Sequence, residues 1–310
     1  MEQKLEAFRD KIGERFVGKA EVTELALCCF LAGGHILLED VPGVGKTTLA
    51  RSFASLMGLS FGRIQFTPDT MPSDVTGLSV YNMKTGEFEH REGAVMKHLI
   101  LADELNRTSP KTQAALLEAM AEAQVTVDGK SYPLPQPFMV IATQNPMGFT
   151  GTFPLPEAQM DRFMMRLSIG YPSDKEELQI ANMHLTGQTQ IKETQALLSP
   201  EEAMQLREKV QSVEFRENVL SYAQNIVKAT RTSEEFSLGA SPRALVHLTQ
   251  AARAKAFLEG REYVTPDDIK KTAIPVLAHR LILSMEAKLK NKDASEILKS
   301  LILTVKVPMD

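Results

Sequence analysis

The chain has 310 residues, of which 43% are hydrophobic and 24% charged, and its formal net charge at pH 7 is −4. This length suits two domains or one large one, the composition is that of a globular protein, and the charge lacks the basic excess of a general nucleic-acid binder. The longest apolar run, near residues 25–34, is too short to cross a bilayer, and the charged first residues lack the apolar centre of a signal peptide. We therefore expect a cytoplasmic protein without a membrane span.

Strand and helix signals alternate through the first part of the chain. Residues 1–32 are predicted to be helical with a break at Val17-Gly18-Lys19, and helical spacing returns after Lys46 and at 110–123. Short apolar runs typical of buried strands occur at 35–40, 63–66, 97–102, 138–143 and 166–169. Alternating strands and helices predict a parallel sheet in an α/β domain.

Two segments break this alternation, and each predicts a β-hairpin. Residues 80–90 turn at Thr85-Gly86, and residues 123–134 turn at Asp128-Gly129. Beyond Tyr171-Pro172-Ser173 the strand signal ends and helical patterns follow one another. We therefore predict an α/β domain over residues 1–172 and an all-helical domain over residues 173–310.

The segment between the first predicted strand and the next helix has the composition of a phosphate-binding loop. Such a loop needs glycines that turn backbone N–H groups inward, a helix N-terminus facing the anion, a Lys for the β- and γ-phosphates, and a Ser/Thr hydroxyl for magnesium. The residues that supply these parts are Val41, Pro42, Gly43, Val44, Gly45, Lys46, Thr47 and Thr48. The strict pattern G-x-x-x-x-G-K-[ST] begins with glycine, where this chain has Asp40, so the effect of Asp40 on nucleotide affinity stays open. A Gly-rich turn without a ligand is the alternative.

Two further strand ends carry polar residues. The apolar run 98–102 ends in Asp103 and Glu104, of which Asp103 would hold Mg²⁺ together with Thr47 and Glu104 would orient or deprotonate the attacking water. The run 138–143 leads into Asn145, whose amide could hold the water or the γ-phosphate. Taken singly, the carboxylates could be a strand end facing solvent, and the Asn-Pro pair a simple turn. Together with the loop, they predict a protein that binds ATP and Mg²⁺ and hydrolyses ATP.

The order of these motifs resembles a known family. The strings VPGVGKT, LADELNR, ATQNP, LPEAQMDRF and GASPRA together resemble the AAA+ ATPases of the MoxR group, over nearly the whole chain. The segments 67–77 and 155–163 are the features that a general AAA+ protein would not need. The resemblance implies a P-loop AAA+ core whose parallel sheet is flanked by helices, followed by an all-helical lid domain.

The resemblance also implies roles for residues that spacing alone does not assign. Asn145 falls at the sensor-1 position, and Arg162 at that of an arginine finger reaching the neighbouring subunit's site. Arg243 falls at the sensor-2 position, while Val17 and Gly18 lie where the family packs the adenine ring. Two alternatives remain open: Arg162 could cap a helix or pair with its neighbouring aspartate, and Arg243 could be an ordinary exposed arginine near a helix start. Arg166 is a weaker candidate for the finger.

An arginine supplied in trans requires assembly, so the resemblance implies a homo-oligomer in the form of a hexameric ring. The two predicted hairpins could line the pore of this ring or face a client protein. MoxR-like proteins are associated with partners that carry von Willebrand A domains, which implies a chaperone-like role in maturing a target complex. Two alternatives are a nucleic-acid motor, which the mixed charges of the hairpins do not favour, and a nucleotide-dependent switch with little turnover.

Overall fold

The structure is a computed structural model that describes residues 2–144, 152–186 and 196–308. The chain forms two compact units, each made of three stretches of sequence. The first unit contains Met1–Glu24, His35–Leu155 and Leu167–Met204, and the second contains Leu25–Gly34, Pro156–Arg166 and Gln205–Asp310. The predicted domain boundary at residue 172 stays a prediction.

A five-stranded sheet has four of its strands in the first unit, whereas only Leu167 of the fifth strand belongs to that unit. In chain order its strands are β1 (Ile36–Glu39), β2 (Phe61–Gln65), β5 (Leu99–Asp103), β8 (Met139–Gln144) and β9 (Met165–Leu167). Their order across the sheet is β2-β5-β8-β1-β9, and the pairs β2–β5, β5–β8 and β8–β1 are parallel. The central strands are buried along nearly their whole length, which is why they appear in the sequence as continuous apolar runs. The predicted parallel sheet is confirmed.

Helices surround this sheet in the order that the sequence predicts. They are α1 (Glu2–Arg15), α2 (Ala20–Leu31), α3 (Lys46–Leu56), α4 (Pro72–Thr76), α5 (Pro110–Glu122), α7 (Asp174–Leu185) and α8 (Pro200–Gln211). By their residue ranges, α2 and α8 begin in the first unit and end in the second. The predicted break at Val17-Gly18-Lys19 separates α1 from α2, and Gly18 has a φ of +77° that favours glycine.

Both predicted hairpins are present. The first joins β3 (Gly77–Asn82) to β4 (Glu87–Glu92), and the second joins β6 (Gln124–Val127) to β7 (Lys130–Pro133). The turn of the second hairpin places Asp128 and Gly129 at positive φ, as the turns that join tightly paired antiparallel strands require. The hairpin predictions are therefore confirmed.

The second unit is almost entirely helical. Its helices are α6 (Glu157–Met160), α9 (Glu217–Thr232), α10 (Pro242–Leu258), α11 (Pro266–Leu277), α12 (Met285–Leu289) and α13 (Ala294–Thr304). One short antiparallel pair, β10 (Phe236–Leu238) with β11 (Ile282–Leu283), adds to the predicted helices. Strands of two or three residues are too short to show a period of two in the sequence, so the prediction could not include them.

Helix α10 begins as its sequence predicts, and the two cysteines are in the core. Ser241 caps α10 by accepting a hydrogen bond of 3.1 Å from the backbone N–H of Ala244, and Pro242 occupies the first turn. Cys28 and Cys29 are both buried, and neither forms a disulfide. Among the described residues, no helix is both long and apolar enough to cross a membrane.

Candidate nucleotide-binding site

The predicted phosphate loop connects the end of β1 to the start of α3. Gly43 and Gly45 have φ values of +88° and +92°, a backbone region that residues with a Cβ rarely adopt. Helix α3 begins at Lys46, so the free N–H groups of its first turn lie directly after the loop. These amides, together with the partial positive charge of the helix N-terminus, make the loop a site for an anion such as phosphate.

Lys46 is held within this loop. Its Nζ donates a hydrogen bond of 2.6 Å to the backbone carbonyl of Asp40, which keeps the side chain folded back over the loop. Burial lowers the pKa of Lys46 below its ordinary value, whereas the charges of Asp40, Asp103 and Glu104 act in the opposite direction. The electrostatic coupling of Lys46 to Asp103 and Glu104 connects the two motifs that the sequence predicted separately.

Asp40 stands at the first position of the loop pattern, where it binds the chain after β9. Its carboxylate accepts hydrogen bonds from the Ser168 hydroxyl at 2.9 Å, from the Ile169 N–H at 2.6 Å and from the Gly170 N–H at 2.9 Å. Asp40 is only 6% exposed, so these bonds replace the water that the charged group has lost. The carboxylate thus fastens the phosphate loop to residues 168–170.

A cleft of about 1040 Å³ opens beside the loop. Its lining includes the loop residues Gly43, Val44, Gly45 and Thr48, the residues Phe16 and Val17 after α1, and the segment from Ile169 to α7. This volume is at the upper end of the range for small-molecule pockets. The cleft brings the predicted adenine-packing residue Val17 and the phosphate loop to one site.

Two residues shape this cleft in ways that the loop pattern does not show. The ring of Phe16 is 3.1 Å from the point that a Cβ on Gly45 would occupy, so the glycine allows close packing of ring against loop. A Cβ on Gly18 would lie 1.8 Å from the carboxylate of Glu176 on α7. Gly18 therefore permits the close approach of α7 to the chain between α1 and α2. Phe16 was missed by the sequence prediction, although it immediately precedes the Val17-Gly18 pair.

Asp103 is the last residue of β5, and both of its carboxylate oxygens are bonded. Oδ1 accepts a hydrogen bond of 2.7 Å from the hydroxyl of Thr143 on β8, and Oδ2 accepts one of 2.6 Å from the guanidinium of Arg63 on β2. Thr143 is buried, and its hydroxyl also accepts from the Glu104 N–H at 2.8 Å. Side chains from the two neighbouring strands, β2 and β8, thus hold Asp103 in place.

Glu104 adopts a left-handed backbone conformation, with φ +56° and ψ +48°. A non-glycine residue in this region is uncommon and is often found at functional sites. Its Oε2 accepts hydrogen bonds of 3.0 Å from the Gln65 amide and 3.0 Å from the Arg107 guanidinium. The sequence prediction missed Arg63, Gln65 and Thr143, because it could not show which strands are neighbours, and it also missed Arg107, three residues after Glu104.

Gln144 ends β8, and its amide donates to the carboxylate of Glu39 at the end of β1. Asn145 follows immediately, but it lies outside the described residues, so its predicted sensor-1 role stays a prediction.

The two predicted arginines belong to the second unit. Arg243 lies in the first turn of α10, with its side chain 52% exposed and its guanidinium 3.7 Å from the carboxylate of Asp161. Asp161 also accepts a hydrogen bond of 2.7 Å from Arg280, whose side chain is only 2% exposed. Arg162 directly follows Asp161 in the chain. The predicted sensor-2 residue Arg243 therefore forms an ion pair with Asp161, the residue directly before the predicted finger Arg162, within one unit.

The chain matches known families and proteins along most of its length. Residues 35–165 match the ATPase family associated with various cellular activities (AAA), and residues 228–301 match the AAA lid domain. It is 39% identical over 301 residues to Chaperone MoxR1 of Mycobacterium tuberculosis, an alignment that covers 94% of this chain and 79% of that protein. The chain belongs to the MoxR family of AAA+ ATPases.

Two further relatives extend this MoxR assignment. The uncharacterized YeaC protein of Bacillus subtilis is 48% identical over 300 residues, which cover 97% of this chain and 93% of YeaC. The chain also resembles the crystal structure of a candidate ATPase from Cytophaga hutchinsonii, with a TM-score of 0.92 and 39% sequence identity. The superposition covers 99% of this chain and 96% of the Cytophaga chain. The predicted family and fold class, an α/β AAA+ core followed by a helical lid region, are therefore confirmed.

The residues of this MoxR-family protein also fit a nucleotide-bound magnesium ion. Within the described ranges, no cluster of three or more His, Cys, Asp or Glu side chains could hold a metal alone. Magnesium is usually bound by one or two carboxylates together with substrate phosphates and water, and does not need such a cage. One strand-end carboxylate, Asp103, and one hydroxyl at the start of a phosphate-loop helix, Thr47, match that set of ligands.

Proposed function

We propose that this protein binds and hydrolyses Mg-ATP between the subunits of a ring and acts as a chaperone-like maturation factor for a partner complex. The observation that supports this most directly is the phosphate loop itself, in which Gly43 and Gly45 have positive φ and are followed by α3 with Lys46 as its first residue. Strands β1 and β5 lie on either side of β8 in a parallel sheet. The phosphate loop after β1 and the carboxylates of Asp103 and Glu104 after β5 therefore lie at the same edge, where the strands have their carboxyl ends. Ligands of open α/β sheets bind at that edge.

The chain's own residues divide the chemistry among them. Val17 and Gly18 pack the adenine ring, while the N–H groups of residues 43–48 and the Lys46 ammonium hold the phosphates. Thr47 and Asp103 hold the magnesium ion, which neutralises charge on the phosphate oxygens when it is bound. Glu104 orients the attacking water and takes its proton, and Asn145 assists in placing that water.

Assembly supplies the remaining part of the site. In this proposal Arg162 reaches the γ-phosphate of the neighbouring subunit, and a guanidinium so placed accelerates hydrolysis by about 10³–10⁵-fold. Arg243 contacts the nucleotide of its own subunit and transmits its presence to the helical lid of residues 173–310. A hexameric, cytoplasmic ring that acts on a partner with a von Willebrand A domain is the full form of this proposal. The chaperone part is supported by the name of the relative MoxR1.

The test is steady-state ATP hydrolysis as a function of protein concentration, with molecular mass measured at each concentration. We expect specific activity to rise as rings form, and Glu104→Gln and Arg162→Ala each to be inactive alone. Mixing the two variants should restore part of the activity, because an intact site then receives a finger from its neighbour. Activity that does not change with concentration, together with an unimpaired Arg162→Ala, would contradict a site shared between subunits.

Arg166→Ala is the matched control, since it removes another arginine four positions along the chain. We expect it to leave hydrolysis within about twofold of the wild type, as for substitutions away from the transferred phosphate. If Arg166→Ala is inactive and Arg162→Ala active, the finger is Arg166. Normal assembly of a wild-type protein with negligible turnover would instead favour a nucleotide-dependent switch.

A further inference from the structure

The carboxylate proposed to hold magnesium already has a cationic partner. Arg63 donates a hydrogen bond of 2.6 Å to Oδ2 of Asp103, and the Thr143 hydroxyl takes the other oxygen at 2.7 Å. The Asp103 side chain is only 17% exposed, whereas that of Arg63 is 48% exposed. The guanidinium therefore covers one oxygen of a largely buried carboxylate.

The strand register explains how Arg63 reaches this position. Strands β2 and β5 are parallel, and Gln65 is paired with Asp103 while Arg63 is paired with Leu101. Side chains two residues apart in a strand share one face of the sheet, so Arg63 and Gln65 lie on the same face. Arg63 also donates to the Gln65 amide oxygen at 2.8 Å, which keeps the guanidinium over the end of β5.

A guanidinium and a divalent cation on the same carboxylate oxygen repel each other, so Arg63 and a metal compete for Oδ2 of Asp103. We propose that Arg63 is a removable counter-ion of Asp103, which magnesium must displace when it enters with the nucleotide. This inference rests on the proposed function, because it takes Asp103 as the residue that holds the metal. Thr143 stays bonded to the other oxygen and keeps the carboxylate oriented while its partner changes from arginine to metal.

The consequence is a site that holds its metal more weakly than its ligands alone would. The Arg63 contact stabilises Asp103 and lowers its affinity for a free divalent cation. The phosphates of a bound nucleotide offer the displaced guanidinium a new anionic partner and bring further ligands for the metal. Metal binding is therefore tied to nucleotide binding by competition for one oxygen.

Arg107 provides a matched control on the other carboxylate. It also donates a hydrogen bond to a site carboxylate, at 3.0 Å, but its partner is Glu104 and not Asp103. Its side chain is 52% exposed, close to the 48% of Arg63. Arg107→Gln therefore removes an equivalent charge from the site without freeing the metal ligand.

The experiment measures binding of Mn²⁺, used in place of Mg²⁺, by the loss of the free-ion signal in electron paramagnetic resonance. The samples contain the protein and a non-hydrolysable ATP analogue, so the result does not depend on turnover. We expect Arg63→Gln to bind Mn²⁺ about three- to tenfold more tightly than the wild type, the range for losing a partly exposed charge-assisted contact. Arg63→Lys keeps a positive charge but lacks the planar guanidinium, so its Mn²⁺ affinity should rise less than that of Arg63→Gln. Arg107→Gln should leave the Mn²⁺ affinity unchanged.

Affinity for the analogue without metal, measured by fluorescence of a labelled form, checks that each variant still has an intact site. Suppose that the wild type binds Mn²⁺ together with the nucleotide analogue, but that both Arg63 variants bind Mn²⁺ no more tightly than the wild type. This result overturns the inference and leaves the proposed function standing. Tighter Mn²⁺ binding by Arg107→Gln to the same extent also overturns it, since the effect would then come from net charge. A wild type that binds neither the analogue nor Mn²⁺ overturns the proposed function itself.

Discussion

Replacing Asp40 with glycine would restore the usual first residue of the phosphate-loop pattern, yet the structure predicts that it destabilises the protein. The Asp40 carboxylate accepts bonds from the Ser168 hydroxyl and from the N–H groups of Ile169 and Gly170. A glycine offers none of these acceptors. We therefore expect Asp40→Gly to lower the free energy of unfolding of the first unit and to loosen residues 168–170.

The size of this loss in the free energy of unfolding depends on whether each donor that bonded to Asp40 can bond to water instead. Ile169 is buried, so its N–H would stay unsatisfied at a cost of about 1–3 kcal/mol. Ser168 is exposed and Gly170 half-buried, so water replaces much of what they lose, and each contributes about 0.5–1 kcal/mol. The added backbone freedom of glycine costs about 0.5–1 kcal/mol more. The sum is a loss of about 2.5–6 kcal/mol.

Two measurements check this expectation. Urea unfolding followed by circular dichroism gives the change in stability, and hydrogen exchange of the peptide around Ile169 shows whether its amide has lost protection. Asp40→Asn keeps the shape and one acceptor oxygen, so about half of the loss should remain. Asp128→Gly is the matched control, because Asp128 is exposed at a φ of +49° that glycine adopts readily. If Asp40→Gly is as stable as the wild type and exchange near Ile169 is unchanged, the anchoring role of Asp40 is wrong.

Three further predictions concern other parts of the chain. Gly45→Ala should weaken nucleotide binding at least about tenfold, measured by fluorescence titration, because the residue has φ +92° and its Cβ would meet the Phe16 ring at 3.1 Å. Asp161→Ala should lower the free energy of unfolding by about 3 kcal/mol in urea, since it leaves the buried Arg280 without its carboxylate. Hydrogen bonds from Lys271 and Arg261 hold the pKa of Glu259 at about 2, below its ordinary 4.5. The stabilising contribution of this carboxylate is therefore present above pH 4.5 and is lost as the pH falls toward 2. The unfolding temperature of Glu259→Gln should consequently fall less steeply than that of the wild type between pH 4.5 and pH 2.

The first two of these have a control of the same chemical kind. Gly86→Ala changes a glycine at φ +74° whose Cβ would meet nothing closer than the Tyr81 hydroxyl at 3.9 Å, so nucleotide binding should not change. Asp267→Ala breaks a surface pair with Lys270 and should cost no more than about 1 kcal/mol. Equal effects in a variant and its control would contradict the structural reason given for that variant.

Much of the fold could be predicted because the relevant signals are local. The runs that became β1, β5 and β8 are apolar throughout, since parallel strands covered on both faces leave no polar side. The hairpin turn at Asp128-Gly129 is recognisable because only a few residue types adopt positive φ readily. The phosphate loop is recognisable for the same reason, through Gly43 and Gly45.

The parts that could not be predicted depend on residues far apart in the chain. Asp40 and Ile169 are 129 positions apart, and nothing in either segment identifies the other as its partner. The Arg63–Asp103 pair depends on the register of β2 against β5, which an apolar pattern does not determine for exposed positions. Arg280 is buried against Asp161, which is 119 positions away in the chain, so the sequence around Arg280 does not indicate this contact.

The burial of the two cysteines gives this protein a built-in chemical reporter. The chain contains two cysteines in all, and both are inaccessible in the folded second unit. Burial also raises the pKa of Cys29 well above its ordinary value, so the reactive thiolate is scarce. A thiol reagent such as a disulfide dye should therefore react only with molecules in which this unit has opened, and its rate measures that opening. For the same reason, a cysteine introduced at an exposed position can be labelled selectively without first removing the native pair.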